Sequence, residues 1–132
     1  MKDNIKADQN SLDAVGDVYE TAVLLDFYGQ LLTPRQYDIM DLYYNSDFSL
    51  GEIAENLNIS RQGVHDSIRR AKSALEGYEE RLGLVRRFKV QEESVEKALK
   101  SLRDMGRKTP SVQEDPDYRQ AIKLLEKVLD TL

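Results

Sequence analysis

The chain has 132 residues, 24 acidic and 19 basic, for a formal charge of −5; that length suits one domain, or a domain with an appendage, burying roughly two-thirds of its unfolded surface. It has no cysteine and a single histidine, His65, which excludes disulfides and thiolate metal sites and leaves no basis for a zinc site or a histidine-centred catalytic array, so neither metal nor cofactor is expected. With no run near the ~20 apolar residues of a membrane span and no apolar core in the opening MKDNIKADQNSLDAVGD, the expectation is a soluble, cytoplasmic protein without membrane insertion.

Glycine and proline are few, at 7 and 3, and apolar residues recur at steps of three and four, so the chain reads as all-α. Residues 1–10 lack this periodicity and read as a flexible terminus. Val15, Val18, Ala22 and Leu25, extended by Phe27, Leu31 and Leu32, mark a first helix. Thr33 can cap a second, with Pro34 at its first position and Gln36 reaching back, and that helix runs to about Tyr44. Asn45, Ser46 and Asp47 form a turn. Ser49 with Glu52 then repeats the capping arrangement ahead of a short helix holding Ile53, Ala54 and Leu57. It closes at Asn56 to Asn58, where asparagine tolerates the left-handed conformation, and Ser60 caps the next helix.

From Val64 the apolar positions run 4, 3, 4, 3, 4, 3 through Ile68, Ala71, Leu75, Tyr78, Leu82 and Val85. Such a stripe belongs against another helix, whether it completes a core, forms a dimer or docks a partner. Gly83 with Arg86, Arg87 and Lys89 marks a bend, and a further helix carries Val95, Leu99 and Leu102. GRKTPSVQEDP, from Gly106 to Pro116, reads as a loop, and Asp115 before Pro116 starts a last helix with Tyr118, Ile122, Leu125, Leu129 and Leu132 in register. The organisation expected is a flexible N-terminus at 1–10, a helical domain at 11–82 and a C-terminal extension of amphipathic helices at 83–132.

The stretch from Ser49 to Ile68, SLGEIAENLNISRQGVHDSI, meets the demands of a helix-turn-helix within 49–72. Such a motif needs a small residue where two helices touch, a tight turn, and apolar anchors at set distances. Ala54 is the small residue, Asn58 occupies the turn, Ile53, Leu57, Ile59 and Val64 face the core, and Ser60 caps the second helix. That helix then offers Ser60, Arg61, Gln62, His65, Asp66 and Arg69 to a major groove, with Arg70 and Lys72 following. Arginine can fork onto guanine and glutamine can pair with adenine, while Ser60 and the free amides of the helix start suit a phosphate. Asp66 opposes them, because a carboxylate facing phosphates is repelled.

Charge by segment supports this placement. Residues 1–32 hold two basic and six acidic groups, 33–59 one and five, 60–90 eight and four, and 91–132 eight and nine. The one positive segment is the recognition helix and its extension, where Arg81, Arg86, Arg87 and Lys89 are candidate backbone contacts. Phe27, Tyr28, Tyr37, Tyr43, Tyr44 and Phe48 are expected in the core, since aromatics at helical spacing in an acidic segment pack rather than stack on bases. No glycine-rich phosphate loop and no paired acid and base appear, so a non-enzymatic binding protein is expected.

LTPRQYDIMDLYYNSDFSLGEIAENLNISRQGVHDSIRRAKSALE, residues 32–76, resembles region 4 of bacterial sigma factors. With the preceding LLDFYGQLL and the following GYEERLGLVRRF, residues 21–88 are similar to the YlxM family, small helical bacterial proteins encoded beside the signal-recognition-particle GTPase. The first resemblance implies a sigma-region-4-like core of three to four helices and nucleic-acid contact at Arg61, Gln62, His65 and Arg69. The second implies a regulatory or accessory part in the signal recognition particle pathway and brings no catalytic residue. The partners expected are DNA, bound weakly or with assistance, then the particle's structured RNA or its other components, and a second copy of the chain. The alternative is a protein adaptor that uses the helical stripe.

Overall fold

A computed structural model describes residues 15–132; the expectation of a flexible terminus at 1–10 falls outside them. The described residues form six α-helices and no strand: α1 (Val15–Tyr28), α2 (Pro34–Tyr44), α3 (Leu50–Leu57), α4 (Arg61–Leu82), α5 (Leu84–Lys108) and α6 (Pro116–Thr131), with 3-10 turns at Gly29–Leu31 and Pro110–Glu114. They divide into two compact units, one ending at Val85 and the other Arg86–Leu132.

Local chemistry sets the starts. Thr33 Oγ1 accepts from the Gln36 amide and Gln36 Oε1 from the Thr33 amide, both at 3.2 Å. Ser49 and Glu52 exchange the same pair of bonds at 3.1 Å. Each box satisfies amides that have no partner within the helix and contributes about 1 kcal/mol. Between them Asn45 Nδ2 donates to Asp41 Oδ1 at 2.8 Å, and Asp47 turns the chain at φ 56°.

In the first unit α4 lies against α1, α2 and α3. Val64, Ile68, Ala71 and Leu75 are wholly buried there, among Leu25, Tyr28, Ile39, Met40, Leu50 and Ile53. The stripe on α4 is therefore the inside of this core, and no partner helix can reach it; an adaptor or a dimer built on residues 64–75 is ruled out. The stripe also ends early. Leu82 is 47% exposed because Gly83 takes φ 61° and breaks the helix before that register can be used, and Val85 is buried from the next helix instead.

The inner face of α1 is Thr21, Leu25 and Tyr28, not the Val18 and Phe27 positions expected; these are 47% and 37% exposed. The rotation follows from Tyr28, whose ring lies 6.1 Å from that of Tyr78 and whose hydroxyl reaches the end of α4. Of the six aromatics between 27 and 48, Tyr28 is buried and Tyr43, Tyr44 and Phe48 pack half-buried against the core, while Phe27 and Tyr37 stay exposed. In the second unit α5 continues to Lys108 and Pro110–Glu114 forms a 3-10 turn, so the segment read as a loop from Gly106 is largely helical. Gln113 Nε2 donates to the Gly106 carbonyl at 2.8 Å, and Asp115 caps α6 by accepting from the Asp117 amide at 2.8 Å.

A part-buried polar cluster stands where α5 begins. Tyr28 donates to Glu79 Oε1 at 2.6 Å, the Leu84 amide donates to the Tyr28 hydroxyl at 3.0 Å, and the Val85 amide donates to Glu79 Oε1 at 3.0 Å. The first turn of α5 has no acidic residue of its own, so Glu79 supplies the negative charge that a helix start favours. Burial, then the bond to Glu79, pushes the Tyr28 phenol above its ordinary value of 10.0. The native state thus holds this proton more tightly than the unfolded chain, and the associated stability is present below pH 10 and lost as pH rises through the raised value. Tyr28→Phe leaves the Leu84 amide unpaired and is expected to cost about 1–3 kcal/mol in urea denaturation at neutral pH. The variant should also lose stability less steeply than the parent above about pH 10.

Candidate nucleic-acid interface

α3, the turn and α4 form the pair of helices on which the candidate site stands. α3 ends at Asn58, which sits in the left-handed region at φ 54°, ψ 48°. Its amide donates to Glu55 O at 3.3 Å and the Ile59 amide to Ala54 O at 3.1 Å. These two bonds satisfy carbonyls that a helix end leaves open and reverse the chain within two residues. Ser60 then accepts from the Gly63 amide at 2.9 Å and opens α4. The first turn of α4 carries no carboxylate, unlike that of α3 with Glu52, so its positive end is left for an outside anion.

With the buried side of α4 fixed, Gln62, Asp66, Arg69 and Ser73 follow at 4, 3 and 4 along its outer side. Gln62 and Arg69 are exposed, as are Ser60 and Arg61 at the helix start and Arg70 beside them. Asp66, Arg69, Arg70 and Ser73 line a shallow concavity of about 410 Å³. Among the described residues neither Arg69 nor Arg70 is held in an ion pair. Two expected readers are less open. Lys72 is half-buried on the flank of Arg61, and the His65 ring is 25% exposed, with its Nδ1 out of water and 3.9 Å from Asp66 Oδ1.

Two features were not anticipated. Gln62 Nε2 donates to Asp66 Oδ1 at 3.0 Å, so the residue suited to adenine is tied to its own helix; the spacing of four between them was the available signal. Ser73 joins the groove and could have been found by extending the outer stripe one turn. The second basic group is dispersed. Arg81 lies 5.7 Å over the Tyr78 ring and donates to the Gly77 carbonyl at 3.2 Å. Arg86, Arg87 and Lys89 are exposed on α5 and belong to the other unit.

The short helix, the left-handed turn and the capped second helix packed across α1 and α2 define a helix-turn-helix protein. The model of the UPF0122 family, described as "Putative helix-turn-helix protein, YlxM / p13 like", matches residues 16–114. The chain belongs to that family, as the resemblance over residues 21–88 implied. It is 47% identical over 114 residues to a UPF0122 protein of Acetivibrio thermocellus, covering 86% of this chain and 97% of the relative. It is 40% identical over 112 residues to one of Lacticaseibacillus casei, covering 85% and 91%. A third, from Exiguobacterium sibiricum, is 57% identical over 65 residues, covering 49% and 61%.

The turn can be tested apart from any ligand. Asn58→Ala is expected to lose about 1–2 kcal/mol in urea denaturation, because alanine gains nothing from the left-handed conformation and pays its steric cost. Asn58→Gly should match or exceed the parent.

Proposed function

We propose that this protein is a non-enzymatic regulatory or accessory protein that binds duplex DNA through the N-terminal half of α4. The observation that carries the reading is the exposure of Arg61, Gln62, Arg69 and Arg70 along the N-terminal half of α4, behind a Ser60-capped helix start without a carboxylate. Arg61 and Gln62 stand at the end of the helix that enters a major groove in this class, where base edges are read. Arg69 and Arg70, neither held in an ion pair among the described residues, serve the phosphates. The net negative charge of the chain repels nonspecific phosphate and holds the overall affinity down. A place in the signal recognition particle pathway enters this proposal through the family resemblance, and a place in the cytoplasm through the composition of the sequence.

Asp66 is the brake in this arrangement, holding Gln62 and adding a negative charge beside both arginines. Asp66→Ala should raise affinity for duplex DNA about 3- to 10-fold in fluorescence anisotropy at low salt. Arg61→Ala should relax sequence preference, whereas Arg69→Ala with Arg70→Ala should weaken all duplexes alike and reduce the salt slope by about 2. Structured RNA is the comparison ligand. If it binds and duplex DNA does not, or if neither binds at low salt, the reading is overturned.

A further inference from the structure

The second unit carries an exposed face that solvation does not explain. Among its described residues Leu99, at 3% exposure, is the only buried apolar side chain, and Val95, Leu102, Ile122, Leu125 and Leu129 stay half-buried between the helices. α5 and α6 run antiparallel. The Tyr118 hydroxyl at the start of α6 donates to the Leu102 carbonyl at 2.8 Å and presses against Gly106, leaving no room there for a Cβ.

Arg103 pairs with Glu126 at 3.5 Å, which identifies one flank common to both helices. At about 100° per residue, every charged residue of α5 from Glu92 to Arg107 falls on the Arg103 flank, within an arc of about 140°. Those of α6 from Arg119 to Asp130 fall on the Glu126 flank, within an arc of about 100°. The opposite flanks therefore also share a side. They present Ser94, Ala98, Ser101 and Met105 from α5, and Leu124 and Val128 from α6, all exposed. Met105, Leu124 and Val128 are exposed by 41%, 52% and 40%. Ser94 turns its hydroxyl back to the Val90 carbonyl at 2.9 Å and Thr131 to that of Lys127 at 3.0 Å, so these two hydroxyls are already satisfied. Arg87, Lys108 and Asp117 fall on the same side only at its ends; in a chain that is 33% charged, a two-helix face clear of charge from Ser94 to Met105 and from Leu124 to Val128 is an interface.

We propose that a second copy of this chain covers it, face to face, making a four-helix layer. The α5 half of the face is small-sided and the α6 half bulky. A two-fold axis parallel to the helices sets each copy's Leu124 and Val128 against the other copy's Ser94, Ala98 and Ser101, the knobs and the holes both lying on one surface. The centre of the face, from Ser94 to Met105 and from Leu124 to Val128, has no charge to attract a charged foreign partner. α6, with 16 residues, is about 24 Å long and two helices are about 20 Å wide, a footprint of about 480 Å² that suits a small interface, below the ~800 Å² per partner of a standard one. This interface replaces the α4 stripe as the site of dimerisation and does not depend on DNA binding.

Sedimentation equilibrium of the full chain tests it. At about 50 μM the parent should weigh about 30 kDa, twice its 15.2 kDa, with a dissociation constant that changes little with salt. Leu124→Glu with Val128→Glu should raise that constant at least tenfold with unchanged far-ultraviolet dichroism; Ala98→Arg, on the other helix, should do the same and decides the matter if the first variant loses helicity. A monomeric parent, or a folded Ala98→Arg variant that dimerises as tightly as the parent, overturns the proposal.

Discussion

Val64, Ile68, Ala71 and Leu75 lie along one side of α4, fully out of water, with α1, α2 and α3 resting on that side. Each large side chain buried this way contributes roughly 1.5–3 kcal/mol. A one-residue rotation of α4 would bring Arg61, His65 and Lys72 toward the core and carry the apolar set out. That rotation is prohibitive, so the packing dictates which residues look outward. The groove of Asp66, Arg69, Arg70 and Ser73 exists because the opposite side of the same helix is committed. A binding surface on a rigid helix with a locked core behind it needs little reorganisation when a ligand arrives.

The polar details tune that surface. α3 begins with a full capping box, and Glu52 neutralises its positive end. α4 begins with Ser60 alone, and the residue that would complete a box is Gly63, which donates its amide and has no side chain to return the bond. One helix start is thereby closed and the next left open. The overall charge of −5 is a poor guide to such a molecule, because basic residues are scarce in 1–59, three against eleven acidic, while α4 is locally positive. Asp66 and Gln62 show the limit of segment sums: a single carboxylate placed four residues from a reader changes what the face can do.

Much of this was legible from spacing alone. Caps at Thr33, Ser49 and Ser60, the left-handed Asn58 and the break at Gly83 all depend on chemistry within four residues, and the sequence shows them directly. The rotation of α1 was not legible, since Val18 and Phe27 fit a helical period as well as Thr21 and Tyr28 do. Only the distant Glu79 and the amides of Leu84 and Val85 explain why Tyr28 turns inward. The 3-10 turn at Pro110–Glu114 was hidden for the same reason, because proline, serine and acidic residues read as loop unless the long-range contacts of Gln113 and Tyr118 are known. At the site, the positions of Arg61, Gln62 and Arg69 were readable from the motif, but the half-burial of His65 and Lys72 depends on neighbouring helices.

Membership in the UPF0122 family fixes the class of the molecule, and the working face proposed for it is on α4. The most direct test is a backbone amide nuclear magnetic resonance titration of the full chain with a short DNA duplex at low salt. The account predicts that the largest shift changes fall within residues 58–73, centred on Arg61, Gln62, Arg69 and Arg70. Largest changes on α1 and α2, or on the uncharged face of α5 and α6, with residues 58–73 unmoved, would contradict it.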